Sequence, residues 1–570
     1  MHTHLPGKKN RKFLNKVKKS LKKQCHNAPF DSIMNHPDHK KPFLYAARLV
    51  SLITLASRIL GLVRDAVLAA CFGASRISDI FWFAFELPNL LRRVLGEGAL
   101  SAFIVPIFTK VRSEQGDASA WRLASNALTV LALISLMLTA LGIIFAQPLF
   151  LIYGLGYSLR GDSDAILIGA QLTRVMFPFL MLLTLSAILM GLCHSIRHFA
   201  TPALGSIMLN LAMIVAGLIF IRQPEQQIAQ ILAISVLIGG LCRLLIMIPP
   251  LIKAGFRFRP IFDPASPHMR QLFLMLLPAT FGLAIVQINI SISRIFAGLL
   301  GEGYNTALIY SNRLVQLPLA IIASALATAI LPQLSQLWID KQHEQLQNLV
   351  RFAFRLIFII FVPATVGLMV LGLPIIDILF QRNQWDQDAT LWTYQALLFY
   401  APGLTLWGLL RIITPIYYAQ QNVRTPVIAA ACAMIVNVAL NFALISIPCL
   451  RTNLGHAGLA LANTVGVLIN AIILLLILRK KGLHLWNLDL TYTALRTLIA
   501  AALMGAVAWH LWYILAPDAV QNSQLLALAW LLMTITLAAA AYLLAALALR
   551  IPDLKSTLKI LLKKSSKTNA

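Results

Sequence analysis

The chain has 570 residues, 59% of them hydrophobic and 12% charged, with a formal net charge of +27. Soluble globular chains average roughly 45–50% apolar and about 25% charged. A mean hydropathy of +0.77 therefore excludes a soluble enzyme, a disordered tail protein and a coiled coil, and leaves an all-α polytopic membrane protein, whose helices meet lipid on most faces.

The amino-terminal tail, 1–43, is basic: eleven Lys/Arg fall within residues 1–41, in runs such as Lys18, Lys19, Lys22 and Lys23. Residues 550–570 form a second basic tail with six more. In so apolar a chain, tails of this kind rest on anionic lipid headgroups rather than on nucleic acid and hold both termini in the cytoplasm. The first apolar run begins near Phe43, so no signal peptide is expected, and Met34 is a second candidate start. The six cysteines are scattered without a CxxC pair, which implies neither a zinc site nor a disulfide framework.

A membrane span needs about 20 apolar residues. Fourteen are predicted, at roughly 44–72, 77–108, 121–150, 166–193, 199–221, 227–250, 271–300, 304–336, 350–376, 390–418, 425–447, 455–478, 491–515 and 523–549. With both termini inside, the inner loops carry fifteen Lys/Arg and the outer loops five (Arg76, Arg160, Arg222, Arg382 and Arg451). That bias obeys the positive-inside rule, and one span more or fewer would scramble it. A faint repeat relates Phe85–Pro88 (FELP) to Val315–Pro318 (VQLP) and Ala99–Pro106 to Ala325–Pro332. It predicts an N-lobe over 44–250 (spans 1–6) and a C-lobe over 251–478 (spans 7–12) around a central cavity, with spans 13–14 in 479–549. Repeated lobes that meet at a midplane site are a common transporter plan.

Charges at bilayer depth cost several kcal/mol and face a cavity or a partner. Eleven arginines lie within spans (Arg48, Arg58, Arg64, Arg92, Arg93, Arg174, Arg243, Arg294, Arg313, Arg411 and Arg496), against four acids, Asp65, Asp79, Glu86 and Glu97. The surplus predicts a hydrated, positively charged cavity that awaits an anion. In span 1, Arg58 and Asp65 are seven residues apart and share a helix face, with Gly61 between them leaving the backbone open. Arg58 sits roughly 20 Å into the span at about 1.5 Å per residue, too deep to snorkel. In span 2, Asp79, Glu86 and Arg93 recur every seven residues and form one charged stripe, interrupted by Pro88. Arg174, Arg243, Arg294, Arg411 and Arg496 stand near span ends, where snorkelling is expected. No Ser/His/Asp set, carboxylate pair or phosphate-binding glycine loop stands in a plausible context, so a transporter is expected rather than an enzyme.

The stretch Ser57-Arg58-x-x-Gly61-x-x-Arg64-Asp65, then Phe72-Gly73-Ala74, Asp79, Leu87-Pro88-Asn89-Leu90-Leu91-Arg92-Arg93 and Glu97-Gly98-Ala99, resembles the MurJ (MviN) lipid II flippases. These belong to the multidrug/oligosaccharidyl-lipid/polysaccharide exporter superfamily. The likeness continues through Tyr310–Pro318, Leu331-Pro332 and Arg424-Thr425-Pro426 and covers about residues 44–550. It implies flipping of lipid II, an undecaprenyl-diphosphate-linked muropeptide, across the bacterial inner membrane for cell-wall synthesis, with membrane lipids and other cell-wall synthesis proteins as candidate partners. It further implies that Arg58, Arg64, Arg92 and Arg313 line the cavity, that Asp79 is functionally important, and that the last two helices form part of a groove for the polyprenyl tail.

Ser57, Gly61, Asp65 and Arg93 complete the predicted substrate-binding set. Asp65 and Asp79 are expected to hold arginines or switch partners, and Gly61, Pro88 and Pro318 to act as bending points. No cofactor or metal is expected, and the coupling cation is left unassigned. In some relatives a second-lobe carboxylate helps bind Na⁺. Here Asn312 and Gln316 stand where acids are common, and Asn437, Asn441 and Thr464 are the weak candidates left, or else interhelical hydrogen bonds. The alternative function is export of another lipid-linked saccharide or a drug by the same fold.

Overall fold

The computed structural model describes residues 37–95, 99–319, 324–516 and 523–554. Glu97, with Gly96 and Gly98, and most of both basic tails lie outside the described residues. Nineteen helices and no strands occur among them, because every backbone polar group in lipid needs an internal partner.

The first half holds α1 (Pro37–Phe72), α2 (Arg76–Leu95), α3 (Ala99–Ile144), α4 (Ala146–Tyr153), α5 (Leu155–Leu159), α6 (Ser163–Met176), α7 (Phe179–Ser195), α8 (Ala200–Phe220), α9 (Glu225–Leu245) and α10 (Ile248–Lys253). Then come α11 (Pro267–Leu300), α12 (Tyr304–Pro318), α13 (Ser324–Ile339), α14 (His343–Phe380), α15 (Gln387–Ala419), α16 (Arg424–Ser446), α17 (Pro448–Lys480), α18 (Leu488–Tyr513) and α19 (Gln524–Ala548). Gly116, at φ 85° and ψ 173°, turns the chain inside α3, a conformation only glycine adopts readily. α2 runs unbroken through Pro88 to Leu95. In the second half, α12 reaches Pro318 and α13 is described from Ser324.

Among the described residues, ten helical stretches are long and apolar enough to cross a membrane. The predicted spans 44–72, 77–108, 271–300 and 304–336 are not among the ten, and all four contribute charged residues to the cavity described below. Large apolar side chains remain exposed on outer faces, for example Leu218, Ile435, Leu498 and Leu544, as expected of a surface solvated by acyl chains.

α11 joins the two halves. Its Met269, Leu272 and Leu276 are buried with Ile104, Phe108 and Trp121 of α3, while its Ser293 bonds Asn437 of α16 at 3.2 Å. The helix predicted to open the C-lobe is thus packed against both α3 and α16. α18 and α19 pack on α14, where the Tyr542 hydroxyl donates to the Ile359 carbonyl at 2.7 Å. Arg355 on α14 pairs with Asp553 at 2.7 Å, anchoring the start of the carboxy-terminal basic tail.

Candidate functional site

The two halves enclose a cavity of about 1060 Å³. α1 contributes Ser57, Arg58, Gly61, Arg64 and Asp65, and α2 contributes Glu86, Asn89, Arg92 and Arg93. Arg243 comes from α9, Arg294 from α11, Arg313 from α12 and Arg411 from α15. Among the described residues the wall thus carries eight arginines and two carboxylates.

Both carboxylates are shared. Asp65 accepts from Arg64 at 2.7 and 3.0 Å and also from Arg313 across the lobes. Arg64 reaches on to Asn210 Oδ1 at 3.0 Å, and Asn210 Nδ2 donates to the Ser57 carbonyl at 3.1 Å. The Arg313 guanidinium lies over the Trp82 ring, 4.7 Å from its centroid, an arrangement that holds a cation at low desolvation cost. Glu86 pairs with Arg294 at 2.7 Å and with Arg93 at 3.8 Å, and Arg93 also donates to Gln287 at 2.8 Å. Arg92 donates to Asn89 at 2.9 Å. Arg58 has no carboxylate within ion-pair distance among the described residues, and it is exposed to the cavity.

The cavity is sealed at the end reached by Phe72. There Asp79 of α2 is completely buried and accepts from the backbone N–H of Gly303 (2.8 Å) and of Thr306 (2.8 Å) and from the Thr306 hydroxyl (2.6 Å). α2 thus caps the N-terminus of α12, satisfying donors that the helix itself leaves free. The cap needs close backbone approach. A Cβ on Gly303 (φ +80°) would lie 2.2 Å from the Ala74 carbonyl oxygen, and one on Gly73 (φ +62°) 2.1 Å from that of Gln384. An aromatic plug of Trp82, Tyr310, Phe380 and Trp385 fills the space behind, with ring centroids 4.9–6.3 Å apart. At the rim, Arg76 donates to Asp162 at 2.5 and 2.7 Å, which holds that carboxyl below its ordinary range.

Asp79 therefore departs from its sequence assignment. It lies off the cavity wall and holds no arginine among the described residues, although Glu86 and Arg93 of the same stripe do face the cavity. Seven-residue spacing drifts by about 20° per repeat on a straight helix, and near the seal α2 meets α12 rather than open space. Arg243, Arg294 and Arg411 depart in the opposite sense. Expected to snorkel, they line the cavity, because helices that flank a watered chamber let a side chain reach water inward. Arg174 and Arg496 are exposed away from it. Gly61 is on the wall, yet α1 passes through it as regular helix. A methyl group there would meet only Asn210 Nδ2, at 3.7 Å. Gly61→Ala is expected to support transport at the wild-type rate with unchanged or higher thermal stability, since alanine favours helix by about 1 kcal/mol. Slowed transport in that variant would mark Gly61 as a bending point.

A family model described as lipid II flippase MurJ matches residues 68–551. The chain belongs to that family. The MurJ family is one of transporters, not enzymes. A curated relative from Vibrio cholerae, named probable lipid II flippase MurJ, is 32% identical over 481 residues, covering 83% of this chain and 90% of the relative. A lipid II flippase MurJ from Burkholderia cenocepacia is 31% identical over 439 residues, covering 76% and 83%. A solved lipid II flippase MurJ in an inward closed conformation aligns with a TM-score of 0.71 at 24% identity, over 88% of this chain and 99% of that one. An inward-facing MATE family multidrug transporter shares the fold at TM-score 0.61 and 15% identity, over 76% and 98%.

The arginines that the MurJ likeness singled out, Arg58, Arg64, Arg92 and Arg313, all stand on the cavity wall. Asn437, Asn441 and Thr464 are already engaged in hydrogen bonds. Asn437 Oδ1 already accepts from Ser293 (3.2 Å) and Asn441 (3.0 Å), and the Thr464 hydroxyl donates to the Phe399 carbonyl (2.7 Å). These bonds run within and between helices.

Proposed function

We propose that this chain flips lipid II from the inner to the outer leaflet of the bacterial inner membrane by alternating access. The observation that carries the reading is a chamber walled by eight arginines against two carboxylates and sealed at one end by a cross-lobe cap. A diphosphate and peptide carboxylates need compensating charge when they leave water, and guanidinium groups bind such oxygens bidentately. The membrane potential assists export of an anion by about 2.3 kcal/mol per charge per 100 mV.

The chain crosses the membrane fourteen times with both termini in the cytoplasm, a topology supported by the fifteen-to-five distribution of loop cations. The sealed end then faces outward. The N-lobe comprises 44–250 and the C-lobe 251–478, and the faces of α18 and α19 guide the polyprenyl tail. Arg58, Arg64, Arg92, Arg93 and Arg313 grip the headgroup. Asp65 keeps Arg64 and Arg313 in place until substrate oxygens replace it. Reconstituted in vesicles, the protein is expected to move fluorescent lipid II between leaflets well above the rate of empty vesicles. Equal rates sink the reading. Faster movement of a different lipid-linked saccharide would favour the alternative exporter.

A further inference from the structure

The cavity wall is chemically divided. The part built by α15, α16 and α17 carries one charge among its described lining residues, Arg411, and is otherwise made of aromatic, amide, aliphatic and small side chains. Trp407 and Tyr400 lie on one face of α15, with ring centroids 6.4 Å apart and planes at 32°. Trp407 leans back over Gly403, where a Cβ would stand 3.3 Å from Cζ3 of the indole. A side chain at position 403 would crowd both the indole and the Thr464 hydroxyl, 3.2 Å from that Cβ, and Trp407 is itself part of the cavity wall. On the adjoining helix, Asn463 and Asn470 line the cavity from one stripe of α17, seven residues apart with Gly466 between them. Asn470 Oδ1 is buried and has no hydrogen-bond partner. A buried amide oxygen without a partner is uncommon and calls for an explanation.

We propose that this C-lobe wall is a saccharide subsite: Trp407 stacks on the C–H face of a pyranose ring while Asn463 and Asn470 bond its hydroxyl and acetamido groups. The inference rests on the flippase reading above and extends it from the diphosphate to the sugar. Guanidinium groups select phosphate oxygens but distinguish poorly between one diphosphate lipid and another. Neutral amides beside an aromatic plate supply that discrimination, because a group built to hydrogen-bond a ligand rejects an analogue that leaves it unpaired. A hydrocarbon tail would have no use for the amides, and a cationic drug would find no carboxylate on this wall.

The test measures binding to the purified full-length protein in nanodiscs with three probes: undecaprenyl diphosphate, the same lipid carrying the disaccharide without peptide, and the full pentapeptide-bearing lipid. Trp407→Ala is expected to weaken both saccharide-bearing lipids by about tenfold and undecaprenyl diphosphate by less than about twofold. The double variant Asn463→Ala/Asn470→Ala should move the three affinities in the same pattern, and Trp407→Phe should restore most of the loss. If Trp407→Ala fails to fold, the asparagine pair decides. The subsite is overturned if both variants bind all three lipids as wild type does, if they weaken all three alike, or if the loss is confined to the pentapeptide-bearing lipid, which would assign the wall to the peptide. Wild-type protein that translocates none of the three in vesicles fails the flippase reading itself and takes the subsite with it.

Discussion

Arg58→Ala is expected to abolish growth of cells depleted of their own flippase, while the variant inserts and accumulates normally. Arg58 faces the cavity without a carboxylate partner among the described residues, so its removal leaves no orphaned acid behind and the fold has little to lose. The substrate loses a two-pronged grip on its diphosphate. Hydrogen bonds to charged groups contribute about 1.5–3 kcal/mol each, so losing the pair lowers headgroup affinity about a hundredfold or more. Arg58→Lys keeps the charge and gives up the fork, and should retain a small part of the activity. Immunoblotting of membranes separates failed transport from failed insertion. Wild-type growth with the alanine variant would remove Arg58 from the mechanism.

Asp79→Ala should act in a different way, by opening the seal rather than emptying the site. The substitution strands the N–H groups of Gly303 and Thr306 in a seam that excludes water. Each unsatisfied buried donor costs about 1–3 kcal/mol, so with two stranded the sealed state weakens by about 2–6 kcal/mol relative to one in which the start of α12 is hydrated. Asp79→Asn should follow the same direction, since its amide nitrogen turns a donor towards donors. The measurement is a spin-label distance between the exposed positions Gly161→Cys and Asn383→Cys, which lie on the two sides of the seal, with Cys432 and Cys449 replaced. The distance distribution should lengthen in the Asp79 variants and transport should fall as the protein dwells open at that end. An unchanged distribution would reduce Asp79 to a local fold determinant.

Much of the cavity is legible in the linear chain because it is written on single helices. Arg58, Gly61 and Asp65 share a face of α1, and the excess of arginine over acid within spans already demands water and a counter-anion. Span boundaries follow from hydropathy, and loop cations orient them. What escapes such reading is whatever depends on a second helix. Distance from a span end placed Arg243, Arg294 and Arg411 near lipid headgroups, yet each turns inward to the chamber. Their only sequence signal was that they belonged to a surplus too large for the tally of intramembrane acids. Asn463 and Asn470 gave no signal, since asparagine in an apolar helix reads equally as an interhelical bond.

Asp79 marks the division most clearly. Composition, periodicity and the loop-charge bias determine that this chain is a bundle of membrane helices with arginine at its centre, because helix formation and partition into lipid are local properties of consecutive residues. Whether a given charge meets substrate, another lobe or lipid is decided by contacts across more than two hundred positions: Asp79 with Thr306 and Asp65 with Arg313. Such pairings arise only when two separately formed surfaces come together, so the direction of approach of the partner, not the helix period, assigns the role.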